Sequence, residues 1–288
     1  MTTTGSSLDH VVGLREEAYD NVSLSLARRV CALLNRDGNA IRMGDPLPRG
    51  WQFMLFTPLA PQTSLGQDGT PAAAGEVHIP TPPEFPRRMM GGRRLAFFGD
   101  IPIGADVRRV SEVISANLKT GKTGRFVVAT TRHKIFVGDA KEPALQEDSD
   151  GIFREAAGAV RAPAVLAAGP PPRQARHSET VVTDPTMLFR YSAVHFNTHR
   201  IHYDYPYATD VECYPGLVVN AGLSVLMLRD FAARLGEKPF RNMTSRNVGP
   251  LYCGEEFTLC ANETPGGGFE LWAEDSKGRA AAEVILGV

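Results

Sequence analysis

Three of the chain's seven histidines, His195, His199 and His202, lie within eight residues, in the run Tyr191-Ser-Ala-Val-His-Phe-Asn-Thr-His-Arg-Ile-His-Tyr-Asp-Tyr-Pro-Tyr-Ala208. Imidazole titrates near neutrality, so such a cluster can take up a proton and return it. The spacing also suits metal ligands on a helix, but that arrangement needs a further carboxylate or thiolate, and Pro206 opposes a long helix. No metal is expected. Among the neighbours, the Asn197 amide cannot act as a base and can only hydrogen-bond. Asp204, two residues beyond His202, would share its face in a strand and could orient the imidazole. Arg200 suits a carboxylate or phosphate, and Arg87, Arg88, Arg93 and Arg94 flank Gly91-Gly92 as two basic doublets that suit phosphates. For all of these arginines a solvated surface is the alternative.

These groups need elements to position them. Ala221 to Leu235 is almost wholly apolar, with Asn220 at the N-cap and Gly236 beyond the last turn, which predicts a helix about 22 Å long. Its lack of a polar side means that other structure must wrap it. The short alternating runs Phe257–Ala261, Phe269–Ala273 and Ala281–Leu286, separated by Gly-rich turns, predict an antiparallel meander that does so. An apolar helix in a curled sheet is the hot-dog arrangement, of class α+β.

The first half has similar ingredients in a less regular form. An amphipathic helix is predicted over Ser23–Asn35, with Arg28, Arg29 and Arg36 outside, and a Pro/Gly-dense stretch from Gly44 to Gly92 reads as loop with short strands. A hairpin is predicted from Val107–Leu118 and Arg125–Val137. The domains are placed at residues 1–158 and 179–288, joined by an Ala/Pro-rich linker over 159–178. The expected fold is thus a double hot-dog, two antiparallel sheets each around a central helix.

With 31 Lys and Arg against 32 Asp and Glu, no charge excess points to nucleic acid. Cys31, Cys213, Cys253 and Cys260 form no CxxC pair and read as reduced thiols. The first ten residues lack a signal-peptide pattern and no run is long enough to span a membrane, so a soluble cytoplasmic protein, monomer or homodimer, is expected.

Tyr191-x-x-Val194-x-x-Asn197-x-His199-Arg200-Ile201-His202-x5-Ala208 resembles the hydratase motif of MaoC-like hydratases and dehydratases. His202 and Ala208 match the motif's histidine and small residue, whereas Asn197 stands where the common pattern has Asp. The fuller run Phe196–Asp204 resembles the branch containing mesaconyl-C4-CoA hydratase, itaconyl-CoA hydratase and the mitochondrial hydroxyacyl-thioester dehydratase. Gly44-Asp-Pro-Leu-Pro48, Leu65-Gly66-x-Asp68-Gly69, Pro86–Met89 and Gly91-Gly92-Arg93 extend that likeness into the first half.

The resemblance implies a hydro-lyase acting on an acyl thioester, with CoA or phosphopantetheine as part of the substrate and no separate cofactor. It makes His202 the general acid/base, against the alternative of a buried histidine satisfied by a carbonyl, and Asn197 a holder of water or thioester. His199 would be a donor beside the site, and His195 structural. Tyr214–Gly222 falls at the family's Pro-Gly-x-x-x-His-Gly position, so Ala221 N–H would be the oxyanion donor, flanked by Asn220 and Gly222. Alternatives are a (3R)-hydroxyacyl-thioester dehydratase on CoA or carrier-protein substrates, and a thioester-binding or tailoring protein that does not hydrate.

Overall fold

The structure is a computed structural model describing residues 8–71, 79, 82–121, 124–155 and 173–288. Its first half runs β1 (Arg15–Asn21), α1 (Leu24–Leu33), β2 (Arg87–Phe97), β3 (Asp106–Gly121), β4 (Gly124–Val137) and β5 (Leu145–Arg154). The second runs β6 (His177–Val182), α2 (Pro185–His195), α3 (Ala221–Arg234), β7 (Asn242–Asn247), β8 (Glu256–Glu263), β9 (Phe269–Asp275) and β10 (Ala280–Gly287). The predicted linker falls mostly on 159–172, outside the described residues, as do Lys122 and Thr123 of the hairpin turn.

The strand order is β1-β3-β4-β5-β2-β7-β10-β9-β8-β6, with antiparallel pairing throughout. Read outward from the centre, β2-β5-β4-β3-β1 and β7-β10-β9-β8-β6 are the same topology, so the chain is a double hot-dog whose two copies are visible in connectivity. The two expected sheets are in fact one continuous sheet, joined where β2 pairs with β7 from Gly92↔Arg246 to Ala96↔Asn242.

That joint corrects the reading of Gly91-Gly92 as loop. Both lie inside β2, at a bulge between Met90 and Gly92. A Cβ on Gly92 would come within 2.6 Å of Ser245 O, so glycine is what lets the two backbones approach.

Helix α1 starts at an N-cap, Ser23, whose side chain accepts from Leu26 N–H, and it ends one residue before Leu34 and the left-handed Asn35. Its buried face is Ala27, Val30, Cys31 and Leu33. Helix α3 matches its predicted span to within one residue and packs on β8, β9 and β10. Leu223 and Leu228 are completely buried; each contributes roughly 1.5–3 kcal/mol by leaving water. The two charged residues of α3 that are buried are paired: Arg229 with Glu237, and Asp230 with Arg234 and with Arg36, which follows α1. A single apolar core draws on α1, α2, α3 and strands of both halves, and a smaller cluster including Val113, Val127 and Phe153 lies at the far end of β3–β5.

Candidate active site

Helix α2 opens with Asp184 capping Met187 N–H and Pro185 in the first turn, and it closes at Phe196, which adopts the left-handed region at φ 51°. The chain then reverses. Asn197 Oδ1 accepts from His199 N–H at 2.9 Å, and residues Arg200–His202 form a single 3-10 turn. The His-rich run is therefore helix, reversal and turn.

His202 is 7% exposed, and its Nδ1 lies 2.8 Å from Val218 O. A carbonyl can only accept, so Nδ1 carries the proton and Nε2 keeps its lone pair. Burial pushes the His202 pKa down to about 4, against the opposing effect of the Val218 bond, so the ring is neutral at ordinary pH. The His199 ring meets it edge-on at 5.5 Å between centroids and is itself shifted down by burial. The bland alternative, a buried histidine bonded to a carbonyl, describes the Nδ1 side alone and leaves Nε2 available as a base.

Asp204 does not take the part expected of it. A 3-10 turn, unlike a strand, does not place residues two apart on one face. Its carboxylate instead accepts from Arg200 Nε and Nη2, at 2.9 and 2.7 Å, and from Tyr207 N–H at 3.1 Å. Arg200 is equally committed: Nη1 donates to Gln67 O, its backbone N–H donates to Asp68 O at 2.8 Å, and its guanidinium lies 4.1 Å above the Tyr207 ring. Both residues brace the turn that carries His202.

The brace reaches into the first half. Thr198 Oγ1 donates to Gly69 O at 2.5 Å. Gly69 sits at φ +82°, where a Cβ would stand 2.3 Å from Thr198 O. The Leu65–Gly69 motif is thus the seat on which the histidine turn rests. His195 also bridges the halves, its Nδ1 lying 2.6 Å from Phe53 O.

The carbonyl that holds His202 is two residues before Asn220, and α3 begins directly after. Ala221 and Gly222 are exposed, and the first N–H bonded to Asn220 O is that of Leu223. Ala221 and Gly222 thus present the helix N-terminus, with its partial positive charge, three and four residues beyond the carbonyl that holds the imidazole. Asn220 occupies the N-cap position without capping. Its side chain is 2% exposed, Nδ2 donates to Ser192 Oγ at 3.3 Å, and Oδ1 has no partner among the described residues. Tyr191, to which residue types alone assigned no role, reaches this place: a Cβ on Gly222 would lie 2.0 Å from its hydroxyl.

The arginines do not form one patch. Arg93 faces the interior, 3.3 Å from Glu147, while Arg94 on the opposite face of β2 holds Asp150 through two bonds of 2.6 and 2.9 Å. Arg88 lies 6.0 Å over the Phe153 ring, and Arg87 stands at the start of β2 opposite Arg154. Arg93 instead joins a buried polar band across the inner face of the first half. Ser111, His133 and Glu147 stand in register there. His133 bonds Ser111 at 2.8 Å and Ser149 at 3.0 Å, and Gln52 Nε2 donates to Glu147 at 3.0 Å. The next residue, Phe53, stacks on Tyr191 at 5.4 Å, so the band is joined through Gln52 and Phe53 to helix α2.

A family model, hydroxyacyl-thioester dehydratase type 2, matches residues 50–253. The chain is 35% identical over 278 residues to mesaconyl-C(4)-CoA hydratase of Chloroflexus aurantiacus, covering 96% of each protein. It is 34% identical over 92 residues, 31% of each chain, to the mitochondrial hydroxyacyl-thioester dehydratase type 2 of Schizosaccharomyces pombe. Among solved structures it resembles a MaoC-like dehydratase from Phytophthora capsici, with TM-score 0.66, 13% identity and coverage of 98% and 97%. A conserved Mycobacterium tuberculosis protein with a double hotdog fold aligns with TM-score 0.54 and 15% identity, covering 96% and 95%.

Proposed function

Because the chain belongs to the hydroxyacyl-thioester dehydratase type 2 family, and so is a hydratase or dehydratase of thioesters, we propose that it reversibly hydrates a short, carboxylated enoyl-CoA of the mesaconyl-C4-CoA or itaconyl-CoA type. The observation that carries the chemistry is the fixed tautomer of His202. With Nδ1–H held by Val218 O, Nε2 takes a proton from water as the water oxygen bonds to the β-carbon. The electrons of the double bond move to the thioester oxygen, where the N–H groups at Ala221 and Gly222 stabilise the enolate. His202 then returns the proton to the α-carbon, so one water has been added and the enzyme is unchanged. Asn197, whose Oδ1 is taken by His199 N–H, has its amide NH2 to hold the water or the thioester.

The polar band supports a carboxylated acyl group over a long alkyl chain. An alkyl tail laid against the Arg93 guanidinium, the part of the band that still meets solvent, would strip it of water without replacing the hydrogen bonds lost. No described helix is long and apolar enough to cross a membrane, and we place the protein in the cytoplasm as a monomer or homodimer that needs no cofactor beyond the CoA of its substrate.

The test offers mesaconyl-C4-CoA, itaconyl-CoA, crotonyl-CoA and a longer enoyl-CoA and follows the hydrated product by mass, with His202→Ala as control. Preferred turnover of the first two is expected. Preference for the long chain would favour the (3R)-hydroxyacyl dehydratase reading, and binding without turnover would favour a tailoring protein.

A further inference from the structure

The Tyr191 side chain is placed with more care than a core aromatic needs. Phe53 stacks against one face of it at an interplanar angle of 23°, and His195 lies 6.1 Å away, itself held at 2.6 Å from Phe53 O. The residue is 2% exposed, yet no hydrogen bond to its hydroxyl is found among the described residues; burial and the nearby Arg93 are what act on it. Buried tyrosines ordinarily satisfy that hydroxyl.

The hydroxyl is aimed at the first turn of α3. It fills the space where any side chain at position 222 would begin, which is why that position is glycine. The amide of Asn220, one residue before the helix, is anchored to Ser192, the neighbour of Tyr191 on α2, so α2 and the start of α3 are fixed to each other. Burial raises the Tyr191 pKa, so the phenol keeps its proton at any working pH and can donate it to a developing negative charge.

We propose that the Tyr191 hydroxyl is a second oxyanion donor, hydrogen-bonding the substrate's thioester oxygen together with the backbone N–H groups at Ala221 and Gly222. The role rests on the thioester reading of the site but not on which acyl group is used, nor on whether water is added. The hydroxyl transfers no proton. It donates a hydrogen bond that strengthens as the carbonyl oxygen gains charge, so its loss falls on kcat more than on KM.

The experiment compares the protein with Tyr191→Phe, which keeps the ring and its stack on Phe53. One arm records the infrared carbonyl band of bound butyryl-CoA carrying carbon-13 at the thioester, a ligand with no double bond to hydrate. The other arm measures kcat and KM on the best enoyl-CoA of the panel. The expected result is a carbonyl band lowered by binding to the native protein, partly restored in Tyr191→Phe, with kcat reduced about 100-fold and KM changed little. A band lowered in the native protein and partly restored in Tyr191→Phe, without turnover of any enoyl-CoA, would count against the hydratase reading and for the donor. An identical band in both proteins, an equal kcat where there is turnover, or no binding of butyryl-CoA would overturn the donor.

Discussion

The two halves share one topology and fill it differently. In the second half the inner face carries Leu259 and Ala261 on β8, Leu271 and Ala273 on β9, and Val284 and Leu286 on β10, and the fourteen-residue α3 lies in the resulting trough. In the first half the corresponding strands carry Arg109 and Ser111, Thr131 and His133, and Glu147 and Ser149, and the ten-residue α1 lies beside α2. One copy is therefore a core that presents a helix N-terminus, and the other is a wall with a polar stripe between two apolar clusters. A duplicated fold relieves one copy of the need to be self-sufficient, because the joint at β2–β7 lets it lean on its twin. The freed copy can then line a binding site.

The comparison is broken most directly by removing the imidazole proposed as the base. His202→Ala should lower kcat/KM by about 1,000-fold or more on the best enoyl-CoA, near the upper end for acid/base catalysis, with the melting temperature largely kept. An effect below about tenfold would remove the second half's claim to the chemistry.

If stability belongs mainly to the second half, then Leu228→Ala, in a side chain that is 0% exposed, should cost about 2–5 kcal/mol by urea denaturation. Val30→Ala, equally buried in α1, should cost about 2 kcal/mol or less. Equal losses would mean that the two helices bear equal loads and that the asymmetry is one of lining only.

The neutral state of His202 also shows in stability. Its folded pKa is depressed to about 4, so the unfolded chain binds the proton first as pH falls below about 6.5, and the native state loses stability through that window. Between pH 7 and pH 5 the native protein should lose about 2 kcal/mol more than His202→Gln does, measured by urea unfolding at both values. Matching losses would mean that the imidazole is not held neutral.

What residue types revealed follows the same division. Helix α3 and strands β8, β9 and β10 were legible because one pattern, apolar throughout or alternating, decides them. His202 stood out through the likeness of its run to the hydratase motif, and the structure buries it and fixes its tautomer. β1, β6 and β7 escaped because they are polar: Asn242–Asn247 has no apolar alternation, and it is strand because β2 and β10 satisfy its backbone on both sides. Asp204 was misplaced because strand and 3-10 turn differ by a register that its neighbours do not encode. Tyr191 stands at the head of the motif but its type alone suggested no role, and the polar band was out of reach for another reason. Ser111, His133, Glu147 and Gln52 are far apart in the chain, and only the sheet register brings them together.

The smallest effect tests the joint itself. Gly92→Ala adds one methyl group, but it would point within 2.6 Å of Ser245 O, a backbone atom of β7 that cannot swing aside as a side chain would. The strands must separate locally, and overpacking of this kind costs about 1–3 kcal/mol. Because β2 and β7 are the only strands pairing the two copies among the described residues, the strain falls on the contact between them and on neither core. Unfolding should remain a single transition at a lower urea midpoint if the halves fold as one unit, with Leu228→Ala and Gly92→Ala adding nearly independently, since they touch different packing. Two separated transitions in Gly92→Ala would show instead that each copy stands alone, and the wall of the first half would then need its own source of stability despite its polar stripe.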